Sequence, residues 1–283
     1  MLVCLVMIAV LLHLPTGYEQ ALQYRQAERC IGLVLETDNS TIKDTGLVRS
    51  GEQRCRLRVL DGNFKDETIT GVNMLRGSLE QDKLFSAGDR AQIVISTRGG
   101  AVSNVTMIDH YRIPWEIFMA GVFILLLTAV AGRTGLRAIF SFVLTVLAVW
   151  KLLVPLYLNG WNPVWIGLLV TLLLTVLIIA LVYGFDRRCA AAVSGAFLGI
   201  LATAALGILF TDQFKIHGAV MAYSESLLYA GFQHLDLTRI YMSSIFLGAS
   251  GAVMDLAVDV TSAVAGVVAR NPASAALKRR DPA

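Results

Sequence analysis

The residues best suited to chemistry fall on one line. Ser244, Gly248, Gly251, Asp255, Asp259, Ser262 and Gly266 follow one another at steps of four, three, four, four, three and four. Those steps place all seven on one side of an α-helix. The flanking residues Ile245, Phe246, Leu247, Val253, Leu256, Val258 and Val264 are apolar. A carboxylate inside an apolar span costs about 3 kcal/mol on insertion scales and is usually retained to handle an ion, a proton or a substrate. Asp255 and Asp259, with Ser244 and Ser262 on the same stripe, are therefore the ion-handling candidates, on a face expected at the centre of the helix bundle. The competing reading is a pair of interfacial carboxylates that meet Arg133, Arg137 or the Thr261 and Ser262 hydroxyls, and residue types alone leave both open. Counted from position 240, Asp255 lies about 22 Å along the helix and Asp259 about 28 Å. Lys151 lies near the opposite face, some 14 Å from the depth of Asp255, so it is expected to snorkel outward and not to pair with it.

The glycines of the stripe read as packing residues. Gly248 and Gly251 would let another backbone approach, and Gly195 and Gly199, four apart, form a small-xxx-small pair that is a candidate partner surface. Other constellations are weaker. His217, Glu225, His234 and Asp236 match no metal-site spacing and read as caps or solvated loop residues, so no metal is expected. The segment 222–234 has the pattern of an amphipathic surface helix. No nucleophile with a nearby base and no phosphate loop is visible, so neither an enzyme nor a cofactor is expected.

The elements that must position these residues follow from composition. Of 283 residues, 55% are hydrophobic and 16% charged, too apolar for one water-soluble domain. Residues 19–112 hold 13 Lys/Arg and 13 Asp/Glu, a neutral balance that offers no basic footprint for nucleic acid. Within 25–112, runs such as 30–35, 54–60 and 91–96 are rich in β-branched residues. Arg54, Arg56 and Arg58 alternate with Cys55, Leu57 and Val59 at the period of a half-buried strand. Asp61-Gly62-Asn63, Gly77-Ser78, Gly88-Asp89 and Gly99-Gly100 supply turns. A small all-β, barrel-like domain of five or six strands is predicted. Cys30 and Cys55, in neighbouring predicted strands, are either a disulfide or two buried thiols; Cys4 and Cys189 look inert.

Residues 1–18 are a signal or anchor segment, and residues 114–270 hold five apolar stretches at 114–132, 136–158, 164–185, 189–210 and 240–269, with a tail at 271–283. About 22 residues at 1.5 Å rise span roughly 33 Å, enough for a hydrocarbon core of about 30 Å. Arg133, Arg137, Arg187, Arg188, Arg270, Lys278, Arg279 and Arg280 flank one set of loops, while only Lys215 and Arg239 lie in the other. That bias puts the C-terminus in the cytoplasm and the β domain outside. The fold class is an α-helical polytopic membrane protein with a small extracytoplasmic all-β domain, and its first partner is the lipid bilayer.

The segment Gly251-Ala252-Val253-Met254-Asp255, followed by Thr261-Ser262-Ala263 and Asn271-Pro272, resembles the YibE/F-like family of bacterial membrane proteins. The resemblance implies a bacterial plasma-membrane location and matches Asp255 to a characteristic aspartate, with Asp259 at a more variable position. It also implies further spans beyond Asn271-Pro272, so the chain reads as C-terminally truncated. A homo-oligomer or a separately encoded partner supplying the missing spans is the corresponding expectation. Function is then expected to be that of a permease-like transporter or export component. The rival is a non-transporting scaffold whose β domain binds an envelope partner.

Overall fold

The two-residue alternation that runs through Arg54 to Val59 is realised as a strand with arginines outside and Cys55, Leu57 and Val59 inside. The computed structural model describes residues 2–16, 27–79, 81–184, 186–221, 224, 227 and 230–270. These divide into two compact units, Glu19–Val122 and Met1–Tyr18 with Phe123–Ala283.

The first unit contains β1 (Ala27–Asp38), β2 (Lys43–Asp44), β3 (Arg49–Val59), β4 (Thr68–Arg76), β5 (Arg90–Arg98) and β6 (Ala101–His110). β1 pairs with both β5 and β3, so the order β1-β5-β6-β4-β3 closes on itself and leaves the short β2 outside the ring. All pairings are antiparallel except β4 with β6, where Val72 faces Thr106. This is a five-stranded Greek-key barrel of the OB type. Its interior is filled by Val34, Leu57, Ile93, Ile95 and Val105, each almost wholly buried, with Phe85 closing one end.

The loop between β4 and β5 is fastened to the barrel by a buried amide network. Gln53 Nε2 donates to Asn39 Oδ1 at 2.8 Å and to Phe85 O at 2.9 Å, while its Oε1 accepts from Phe85 N at 2.9 Å and Asn73 Nδ2 at 3.1 Å. Every polar atom of that buried side chain is thereby used, as burial requires. Asp82 fixes the start of the same loop, accepting from the amides of Arg76, Gly77 and Ser78 at 2.7–3.0 Å. Gly88-Asp89 is a turn, as expected: Gly88 has φ 95° and Asp89 Oδ2 accepts from Ser86 N at 2.7 Å.

The alternative of a Cys30–Cys55 disulfide is not realised. Both thiols are free. β1 and β3 are indeed neighbours, but their register sets Cys55 opposite Thr37, seven residues along β1 from Cys30. That is roughly 20 Å of strand, beyond the reach of a bridge. Burial pushes both thiols up to about 11, helped by Glu28 and Asp61 at Cys30 and by Asp89 at Cys55. Both are therefore protonated at neutral pH. A maleimide at pH 7.5 is expected to label neither in the folded chain and both after denaturation. The stability tied to the neutral thiols is intact below the ordinary value near 9 and is lost as pH rises through about 11.

The second unit is helical. α1 (Leu2–His13) is followed, beyond the barrel, by α2 (Ile113–Ala148), a π-helical turn at Val149–Leu153, α3 (Val154–Leu158), α4 (Pro163–Tyr183), α5 (Arg187–Gln213) and α6 (Leu237–Arg270). α2 begins in the barrel's unit and continues into this one. Four long apolar stretches result, because the helical run from Ile113 to Leu158 is continuous by hydrogen bonding over 46 residues. At 1.5 Å per residue that run would be about 69 Å, more than twice a hydrocarbon core. Gly132 breaks it, with φ 53° and ψ −125°, a conformation open to glycine. The break falls at the end of the predicted stretch 114–132, so five apolar segments remain.

Lys151 departs from expectation. It sits in the π-helical turn, and its Nζ donates to the Leu14 carbonyl at 2.9 Å. It caps the C-terminal end of α1 instead of snorkelling to water, which places a cation at the negative end of the helix dipole. Asp236 caps α6, its Oδ1 accepting from Arg239 N at 3.1 Å, whereas His217 precedes the short turn at Gly218–Val220 without a side-chain capping bond. Among the described residues no His/Cys/Asp/Glu group has metal-site geometry. Glu225, most of 222–229, residues 17–26 and the tail 271–283 lie outside the described residues.

Candidate functional site

α6 has two faces of different character. The face that packs inward carries Met242, Ser243, Phe246 and Ser250, then Val253, Met254 and Ala257. Val253 and Ala257 meet α5, where a Cβ on Gly199 would lie 2.5 Å from Val253 Cγ1 and one on Gly195 3.7 Å from the Ala257 methyl. Gly195 and Gly199 thus serve as packing residues, but against Val253 and Ala257 and not against Gly248 and Gly251. Ala192 and Ala196, wholly buried beside them, form the rest of this seam. Small side chains four apart allow that approach.

The stripe Ser244, Gly248, Gly251, Asp255, Asp259, Ser262 and Gly266 is the other face, and it is exposed in the single chain. Placing Asp255 and Asp259 at the centre of the helix bundle is therefore corrected: the helices that cover α6 lie on its Phe246–Val253 side. Among the described residues neither carboxylate has an ion pair or a hydrogen bond, and Arg133 and Arg137 are exposed without one. Thr261 donates to Ala257 O at 2.6 Å and Ser244 to Tyr241 O at 2.7 Å, within their own helix.

At the edge of the stripe the helices leave a cavity of about 270 Å³, bounded by α2, the π-helical turn, α4 and α6. Gly248 and Gly251 form one wall, and Thr145, Thr171, Thr175 and Ser250 supply its hydroxyls. Thr171 and Thr175 are 1% exposed. Each hydroxyl proton is already committed to the residue's own helix: Thr145 to Ser141 O at 2.9 Å, Thr171 to Gly167 O at 2.7 Å, Thr175 to Thr171 O at 2.9 Å, Ser250 to Leu247 O at 2.6 Å. A hydroxyl has one donor and two acceptor lone pairs. Each oxygen keeps acceptor lone pairs beside its intrahelical bond, and Val149, Leu174, Ile178, Leu247 and Met254 make the rest of the wall, so the cavity is a largely apolar one with four hydroxyl oxygens able to accept from a cation or a donor. A second hydroxyl pair, Tyr157 with Ser243, is buried where α3 meets α6. Gly167 of α4 makes room for it, since a Cβ there would strike the Ser243 hydroxyl.

Asp255 lies four residues beyond Gly251, one turn or about 6 Å along the same face. The cavity and the carboxylate therefore share one stripe of α6. Gly248 and Gly251 were singled out by spacing, as was Asp255. Thr145, Thr171, Thr175, Ser250, Tyr157 and Ser243 were not, because a lone Ser or Thr in an apolar span carries no pattern. The one available signal was the four-residue step from Thr171 to Thr175, which stacks their hydroxyls on one side of α4.

Several helices long and apolar enough to cross a membrane, the first of them broken at Gly132, and a closed β barrel preceding them are consistent with a membrane protein carrying an appended barrel. A family model described as YibE/F-like protein matches residues 119–280, and the chain belongs to that family. The match includes the Gly251–Asp255 segment and both aspartates, and it leaves the β barrel outside. Comparison with curated proteins and with solved structures gives no match.

Proposed function

We propose that this chain is a permease-like component of a bacterial plasma membrane, in which the hydroxyl-lined cavity and Asp255 handle a cation or a proton. The observation that carries this reading is the shared stripe: four hydroxyl oxygens in an otherwise apolar cavity and a carboxylate one turn away, on helices long and apolar enough to span a bilayer. Hydroxyl oxygens replace part of a cation's hydration shell, and a nearby carboxylate supplies the charge that neutral oxygens lack. The excess of Lys and Arg in the loops after the first, third and fifth segments supports a cytoplasmic C-terminus and an outward barrel. The exposed face of α6 is then where a second copy or separately encoded spans close the path.

The reading is tested with the purified chain in sealed vesicles. The double variant Thr171→Val, Thr175→Val keeps shape and removes two acceptors from the cavity wall. Cation-dependent proton flux is expected to fall about tenfold or more, since each lost acceptor to a charged group weakens binding by about 1.5–3 kcal/mol. Flux equal to that of the unaltered chain would remove the cavity from the path.

A further inference from the structure

The two most exposed leucines of the barrel lie at one end of it, and the strand register says which end. β4 and β6 run parallel with Val72 opposite Thr106. Four residues further along each strand, Arg76 is level with His110. Ser50 pairs with Arg76 across β3 and β4. Leu47 precedes β3 by two residues and Leu79 follows β4 by three, so both lie just past that level. They share it with residues 111–113, where the chain leaves β6 and begins α2. Leu47 is 78% and Leu79 71% exposed, and both line a shallow depression with Leu75 and Leu84, whose rim is polar through Arg49, Asp82 and Lys83.

Neither leucine sits on a loose tip. The turn bearing Leu47 is closed by Thr45 N to Val48 O at 3.1 Å and Gly46 N to Asp44 Oδ1 at 2.8 Å. Leu79 lies in the loop that Asp82 and Gln53 fasten to the barrel. Two rigid turns from different parts of the chain thus hold large apolar side chains outward at the same end. Ile113 and Trp115 are exposed at the start of α2 in the same unit. Several nearby charges are paired: Arg49 with Asp44, and Asp109 with both Lys83 and Arg112. Burial would raise the Asp109 carboxyl, but those two cations and the His110 amide hold it down at about 2.

We infer that this end of the barrel rests on the bilayer, with Leu47 and Leu79 inserted at the lipid interface beside Trp115. The occupant is the lipid surface because the first span starts three residues after β6, leaving roughly 10 Å of chain between the barrel end and the membrane. Exposed leucines and an interfacial tryptophan are what such a surface buries, while the exposed ion pairs around them stay at the level of the polar headgroups. The inference rests on the membrane reading proposed above.

The test uses the full chain in vesicles. Single variants Leu47→Cys, Leu79→Cys, Lys65→Cys at the opposite end of the barrel, and Leu125→Cys within α2 are labelled with a small fluorophore. Emission is then quenched by brominated phosphatidylcholine or by aqueous iodide. Labels at 47, 79 and 125 are expected to lose at least about half their emission to the brominated lipid, and the label at 65 only to iodide. If 125 is quenched by lipid but 47 and 79 behave like 65, the inference is overturned while the membrane reading stands. Protection of 47 and 79 from both quenchers would mean that protein covers them, which also overturns it. Absence of lipid quenching at 125 would overturn the membrane reading itself.

Discussion

Asp255→Asn is expected to lower coupled cation or proton flux about 100-fold, because a contact between an ion and a carboxylate is worth up to about 3 kcal/mol and each 1.36 kcal/mol is tenfold in rate. Membrane insertion and yield should stay normal. The substitution keeps the side chain's shape and removes only its charge, and Asp255 has no ion pair or hydrogen bond among the described residues whose loss could unfold the chain. Asp259→Asn, one turn further from Gly251, is expected to have a smaller effect. Equal losses at both positions would point to a shared surface contact and not to a site centred on the cavity.

Gly199→Leu is expected to have the largest effect on stability. A Cβ at this position already lies 2.5 Å from Val253 Cγ1, so a full leucine side chain must drive α5 from α6. Overpacking of this kind costs about 1–3 kcal/mol and at a helix seam can exceed that. Thermal stability of the purified chain should fall by several degrees, whereas Gly266→Leu, on the open face of α6 where nothing lies within 4 Å, should leave it unchanged. An unchanged melting temperature for Gly199→Leu would mean that the α5–α6 seam is loose.

The periodicities of the chain carried much of this architecture. Alternation over Arg54–Val59 and the turn signals between runs were enough to predict a barrel, and apolar length was enough to place the five helical segments. What they could not carry was the partner of each face. The stripe through Asp255 was read as inward because it holds the polar and small residues, yet the inward face is the one with Phe246, Ser250 and Val253. Both faces have the same helical period, and only the packing of α4 and α5 distinguishes them. The disulfide alternative failed for a related reason: neighbouring strands were identified, but the register between them depends on the lengths of the turns that join them, and the bulge in β1 at Val34–Glu36 adds only one residue to the offset. The cavity hydroxyls were illegible because they come from three separate segments. Lys151 was misplaced because its acceptor, the Leu14 carbonyl, is 137 residues away in sequence.

If the Thr171–Thr175–Ser250 cavity and Asp255 together handle a cation or a proton across a bilayer, ion movement must be visible in sealed vesicles containing the unaltered chain, loaded with a pH-sensitive dye, placed under a pH gradient and given sodium, potassium, lithium or a divalent cation outside in turn. At least one cation is expected to collapse the gradient faster than in protein-free vesicles, and Asp255→Asn to abolish the difference. Identical relaxation with and without the protein, for every cation, would contradict it.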